Sequence, residues 1–183
     1  QKLFRVSRLK EHSPSREKEE QLITEIEKHG QSADGILVSD FVYGVITPTI
    51  LEAVREIAAR RDIPLFGDLQ CSSQVGNILK FTDFSLICPT EREARIALGN
   101  HDDGLEYIAN LLINETRSAN TVLKLGGEGF IAYLGHEEKG TLLRRQHFPA
   151  LTANPVDVTG AGDALLATMA TALTSGLSVM QAS

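Results

Sequence analysis

Cysteine is scarce in this chain, and so is any concentration of positive charge. Only Cys71 and Cys88 occur in 183 residues, without paired metal-ligand spacing. That excludes a disulfide-stapled scaffold and a cysteine-based zinc site, and it leads us to expect reduced thiols in a cytoplasmic protein. The 18 basic residues are outnumbered by 24 acidic ones, a formal net charge of −6, and no basic run is long enough to follow a phosphate backbone. Nucleic acid is therefore not expected as a partner. A compact anion stays compatible with this balance, because a few backbone amides and one or two cations hold a phosphate whatever the global charge. No apolar run approaches the roughly 20 residues that span a bilayer, and the first residues lack the apolar stretch of a signal peptide, so no membrane association is expected. The five histidines, His12, His29, His101, His136 and His147, are scattered without ligand spacing. There is no internal repeat and no low-complexity tract.

What the chain does contain is ordinary globular composition, 42% hydrophobic and 23% charged, at a length suited to one compact unit. Lys2-Leu-Phe-Arg-Val6 reads as a strand. Ser13 or Ser15 reads as the cap of a helix running to about His29, with Gly30 as its stop and Glu17-Lys-Glu-Glu20 as its solvated face. Gly35-Ile-Leu-Val-Ser-Asp40 is a short apolar strand ending in a carboxylate. Thr47-Pro48 then starts a helix whose Ile50, Leu51, Val54, Ile57 and Ala58 share one face. The pattern repeats with Ile63-Pro-Leu-Phe-Gly-Asp68 and Phe84-Ser-Leu-Ile-Cys88, the latter followed by Pro89 and a helix through Leu98. A helix from about Gly104 to Arg117 leads to Thr121-Val-Leu-Lys-Leu125. Strands alternating with helices predict an α/β fold, a doubly wound and mainly parallel sheet with helices on both faces. Phe130 to Leu134 and Leu142 to Phe148 predict an antiparallel edge hairpin.

In such a sheet, ligands bind beyond the carboxyl ends of the strands. The chemistry-bearing residues fall there: Asp40, Asp68, Glu93, Gly126-Gly127 and the loop Asp157-Val-Thr-Gly-Ala-Gly-Asp163. Ser72-Ser73-Gln74, after Asp68, reads as a helix cap. Gly160 and Gly162 stand directly before a helix containing Leu165, Leu166, Met169, Ala170 and Leu173. Glycines there let successive amides converge on one point, to which the helix adds its positive end. Asp163 at a helix start serves equally as a cap or a dipole partner. Its pairing with a glycine-built anion site is what phosphoryl transfer requires, since that reaction needs donors for the moving charge and a base for the attacking hydroxyl.

Asp157 to Asp163 resembles the Asp-Thr-x-Gly-Ala-Gly-Asp signature of the ribokinase-like (PfkB) carbohydrate kinases. The resemblance implies that Asp163 is the catalytic base and that the amides of Gly160, Ala161 and Gly162 form the anion hole. Lys124-Leu-Gly-Gly-Glu-Gly129 is similar to the family's Thr-Leu-Gly-x-x-Gly nucleotide turn, with Lys124 departing from it. By that likeness Lys124, Gly126, Gly127 and Gly129, together with Thr159, are the nucleotide-binding candidates, although a Gly-rich turn is also common in plain hairpins. Pro89-Thr-Glu-Arg-Glu93 resembles Pro-Asn-x-x-Glu, which implies that Glu93 helps place magnesium, while Thr-x-x-Glu is equally a capping box. Ile36 to Gly44 and the Lys2 to Val6 strand look like the heptose-phosphate kinases of lipopolysaccharide precursor synthesis. Their Asp-Pro-Lys is here Asp68-Leu69-Gln70. Asp40 and Asp68 are the candidates for substrate contact.

The resemblance implies ATP and Mg2+ as cofactors and a sugar or sugar-phosphate acceptor. A nucleoside or vitamin alcohol on the same fold, or a non-catalytic nucleotide-binding module, remain the alternatives. The family's domain is about half as long again and begins with sugar-binding and lid elements absent from residues 1–183. The sequence is therefore expected to be the nucleotide-side portion of one kinase domain, with Ser178 capping a helix cut short at the carboxyl end. Because members often dimerise through the lid, a homodimer is an expectation for the full-length protein.

Overall fold

The computed structural model describes residues 12–70, 76–135, 143–152 and 158–183. The expected strand at 2–6, Cys71, the serine turn at 72–74, His136, the start of the last strand at Leu142 and the Asp157 end of the glycine loop lie outside the described residues. The strands are β1 (Ile36–Asp40), β2 (Leu65–Leu69), β3 (Leu86–Ile87), β4 (Asn120–Lys124), β5 (Phe130–Leu134) and β6 (Arg145–Phe148). They form a six-stranded sheet in chain order. β1 to β4 run parallel, and β5 and β6 close the far edge antiparallel, as the hairpin pattern predicted.

The helices are α1 (Arg16–Gly30), α2 (Pro48–Arg61), α3 (Glu91–Leu98), α4 (Leu105–Thr116), α5 (Ala161–Thr174) and α6 (Val179–Ala182). They cover both faces, and the period-two alternation of the strands decides which residue meets which helix. Val38, Leu65, Leu69, Ile87, Leu123 and Tyr133 pack with Leu51 and Val54 of α2, Ala94 of α3 and Leu112 of α4. Their neighbours Phe66, Leu86, Cys88, Val122 and Ala132 point the other way, onto Leu166, Met169 and Ala170 of α5 and Val179 of α6. Both faces of the central strands are apolar because both are covered.

Helix boundaries follow local chemistry. The Thr47 side chain accepts from Ile50 N at 3.2 Å, Pro48 fills the first helical position, and Asp62 closes α2 in the left-handed conformation. Thr47 also hydrogen-bonds Glu19 of α1, which ties the two helices together. Ser15 occupies the cap position of α1 without a side-chain capping bond, so the acidic first turn, Glu17 and Glu19, supplies the favourable charge there. Gly30 is the last residue of α1, where the sequence expects the helix to stop. A Cβ there would come within 2.8 Å of Ile57 Cγ2, so the glycine also serves close helix packing. At Ser178 both N and Oγ donate to Gln181 Oε1, at 3.0 and 2.9 Å, which closes the first turn of α6.

Gly129 is held by the hairpin. Its φ is +90°, and an added Cβ would lie 2.0 Å from the carbonyl oxygen of Phe148. Nothing lies within 4 Å of the corresponding point at Gly127. Gly129→Ala is expected to cost about 1–3 kcal/mol, from backbone strain and overpacking. Gly127→Ala should change stability by less than about 0.5 kcal/mol. Urea unfolding of the two variants checks the contrast, and equal midpoints would contradict it.

Candidate functional site

Four parallel strands deliver their carboxyl ends to one edge of the sheet, and the first turn of α5 is laid across it. Register places Ser39 of β1 opposite Asp68 of β2, so both side chains share the α5 face. Lys124, two residues beyond Val122 in β4, is on that face as well. Its ammonium donates to both carboxylate oxygens of Asp68, at 2.8 and 2.7 Å. Asp68 is fully buried, and Leu69 N also donates to its Oδ1 at 2.9 Å. Burial pushes the Asp68 carboxyl up from its ordinary value, with Lys124 opposing that push and the nearby negative charge of Glu93 reinforcing it.

The α5 terminus rests on this ion pair. A Cβ placed on Gly162 would lie 3.3 Å from Lys124 Nζ and 3.5 Å from Asp68 Oδ2, so glycine leaves the ammonium close to the helix end. Gly160 caps α5 with φ +82°, a conformation that L side chains rarely adopt. Ala161 N donates to Val158 O at 3.2 Å, closing the turn that enters the helix. Asp163 is the third residue of α5 and half-buried. Its Oδ1 accepts from Gln70 Nε2 at 2.7 Å and from Ser39 Oγ at 3.3 Å. Helix dipole and lysine charge thus converge on the glycine end of α5, while neutral donors hold the Asp163 carboxylate in place.

Glu93 stands at the start of α3. It is 7% exposed, its Oε2 accepts from Thr90 N at 2.8 Å, and Thr90 Oγ1 accepts from Glu93 N at 3.2 Å. The capping box read from the sequence is therefore present. Thr90 also bridges to Lys124, which brings the α3 terminus beside the ion pair. Cys88 lies beneath, wholly buried, and burial together with the Asp68 charge raises its thiol so that it stays protonated and inert.

Asp40 is placed differently from Asp68. It is opposite Leu69 and so faces α2 rather than α5. Val42 N donates to its Oδ1 at 2.9 Å, and Lys80 pairs with its Oδ2. Gly126, in left-handed conformation, and Gly127 form an open turn after β4, whereas Gly129 is committed to the hairpin. Thr159 precedes the α5 cap and is exposed. Sequence alone marks Lys124 and Asp68 separately and does not reveal Ser39 and Gln70 as partners of Asp163. Residue parity contained the signal, because Phe66, Asp68 and Gln70 must share one face, but choosing which face needed the position of α5.

The architecture is that of the ribokinase-like kinases. The phosphofructokinase-2 of Escherichia coli in complex with potassium superposes with a TM-score of 0.68 at 15% identity, over 89% of this chain and 52% of its own. The ribokinase of Arabidopsis thaliana complexed with ribose and ATP gives 0.67 at 20% identity, over 86% and 48%. These likenesses establish the fold. The profile of the pfkB family carbohydrate kinases matches residues 10–182, and the chain belongs to that family. Among curated relatives, the bifunctional protein HldE of Trichlorobacter lovleyi is 32% identical over 180 residues, and that of Geobacter sulfurreducens is 29% identical over 180. The match takes in 97% of this chain but only 35% of each relative, so the chain spans about a third of their length.

Proposed function

We propose that this chain carries the nucleotide side and the catalytic base of an ATP-dependent sugar or sugar-phosphate kinase. The observation that carries the reading is Asp163 in the first turn of α5, at a helix end whose Gly162 lies against the Lys124 ammonium. A hydroxyl of the acceptor attacks the γ-phosphorus, forming the new P–O bond as the bond to the β-phosphate oxygen breaks and ADP leaves. Asp163 takes the hydroxyl proton. The α5 terminus, with its Gly160, Ala161 and Gly162 amides, and Lys124 stabilise the charge on the moving phosphoryl group. The open turn at Gly126 and Gly127 borders the nucleotide.

Mg2+ bound with ATP would neutralise charge on the phosphate oxygens. Glu93 is the residue suited to it, a hard carboxylate oxygen donor at the same sheet edge, in keeping with an ion that takes one or two carboxylates and retains waters. The departure of Gln70 from the Asp-Pro-Lys of the heptose-phosphate kinases leaves the acceptor class at sugar or sugar phosphate, with heptose phosphates among the first to be tried.

The test is ADP release by the full-length protein with MgATP across sugars, sugar phosphates, nucleosides and vitamin alcohols. Stimulation by a sugar or sugar phosphate, at least about tenfold over the ATP-only rate, is the expected result. Stimulation only by a nucleoside or vitamin alcohol would reassign the acceptor. ATP binding without stimulation by anything would make the chain a nucleotide-binding module and overturn the proposal.

A further inference from the structure

We propose that Gln70, assisted by Ser39, is a positioning residue that orients Asp163 for proton abstraction. This rests on the reading of Asp163 as the base. Neither residue belongs to the glycine loop, and each is delivered by a different strand. Gln70 N donates to Asp40 O at 2.8 Å, which carries the β1–β2 ladder one residue beyond β2 and anchors the Gln70 backbone. Alternation then sends the Gln70 side chain to the α5 face, where Nε2 meets Asp163 Oδ1 at 2.7 Å. Ser39 Oγ reaches the same oxygen at 3.3 Å. Both donors fall on Oδ1, so the carboxylate plane is pinned from the sheet side, and among the described residues Oδ2 is the oxygen left to receive a proton.

The charged groups around this edge are already engaged. Lys80 is paired with Asp40 on the opposite face, Lys124 with Asp68, and Glu93 with the α3 terminus. Among the described residues no ion pair reaches Asp163. The Gln70 amide holds Asp163 at Oδ1, so its effect on the reaction passes through Asp163 rather than through substrate.

The experiment uses the full-length protein with MgATP and the acceptor that gives the highest ADP release. Gln70→Leu and the isosteric Gln70→Glu are each expected to lower kcat about 10–100-fold, with KM for ATP and acceptor within about twofold of the parent. Gln70→Glu should lose more, because a second carboxylate against Oδ1 repels the first. Ser39→Ala, removing the longer bond, should lose only about two- to fivefold. Thermal melting run in parallel confirms that the variants are folded, and should Gln70→Leu misfold, Gln70→Glu carries the test. Unchanged kcat in the Gln70 variants, or a raised acceptor KM with kcat preserved, would overturn the inference, the latter by making Gln70 a substrate contact. Asp163→Asn measured alongside separates the two levels. If it retains turnover, the base assignment itself has failed. If it loses turnover while the Gln70 variants keep theirs, only the positioning role has failed.

Discussion

Asp163→Asn is expected to reduce turnover about 10²–10⁴-fold while ATP affinity stays within about threefold and the melting temperature hardly moves. The substitution is informative because of the local bonds. Asparagine keeps an oxygen at Oδ1 for Gln70 Nε2 and Ser39 Oγ to donate to, so the side chain retains its anchoring. What is lost is the oxygen able to take a proton. The helix terminus and Lys124 remain, so nucleotide binding should persist. Calorimetric ATP titration with steady-state ADP release distinguishes the outcomes, and turnover near the parent's would remove Asp163 from the role of base.

Lys124→Met is expected to destabilise the fold by about 3–5 kcal/mol, because it strands Asp68 inside the protein. The Asp68 carboxylate has no solvent exposure, and Lys124 engages both its oxygens. Burial already raises Asp68, and Lys124 is the leading influence opposing that rise. Without the lysine the native carboxyl holds its proton to a higher pH, whereas the unfolded chain releases it near the ordinary aspartate value. Between those two values the native state binds more protons than the unfolded state, so stability falls as pH rises, by up to about 1.4 kcal/mol per pH unit. Urea unfolding at pH 6 and pH 8 should show a deficit relative to the parent that grows with pH. A deficit that is small and pH-independent would mean that the pair contributes little. Asp68→Asn added to Lys124→Met should recover part of the loss, because no charge then remains buried.

The local elements were largely legible along the chain. Thr47-Pro48 and Thr90-x-x-Glu93 are caps written in adjacent residues, and the structure contains both bonding patterns. The apolar faces of α2 and α5 follow from helical spacing, and the parallel sheet with its antiparallel edge follows from the order of strands and helices. Gly30 and Gly129 were less legible. Their glycines answer to Ile57 and to the Phe148 carbonyl, neighbours that are distant in sequence and that local turn chemistry cannot anticipate.

The site divides along the same line. By itself the sequence determined the glycine loop before Asp163, the Lys124 departure, the capping Glu93 and the carboxylates that end β1 and β2, since each is a matter of residue type at short spacing. Tertiary structure alone decided that Asp68 and Lys124 form one buried pair under α5, that Asp40 faces away towards α2 and pairs with Lys80, and that Ser39 and Gln70 converge on Asp163. The reason is strand geometry. Alternation assigns neighbouring residues to opposite faces, but only the pairing register and the placement of α5 say which face meets the helix, and hence which of the two aspartates shares the site with the base.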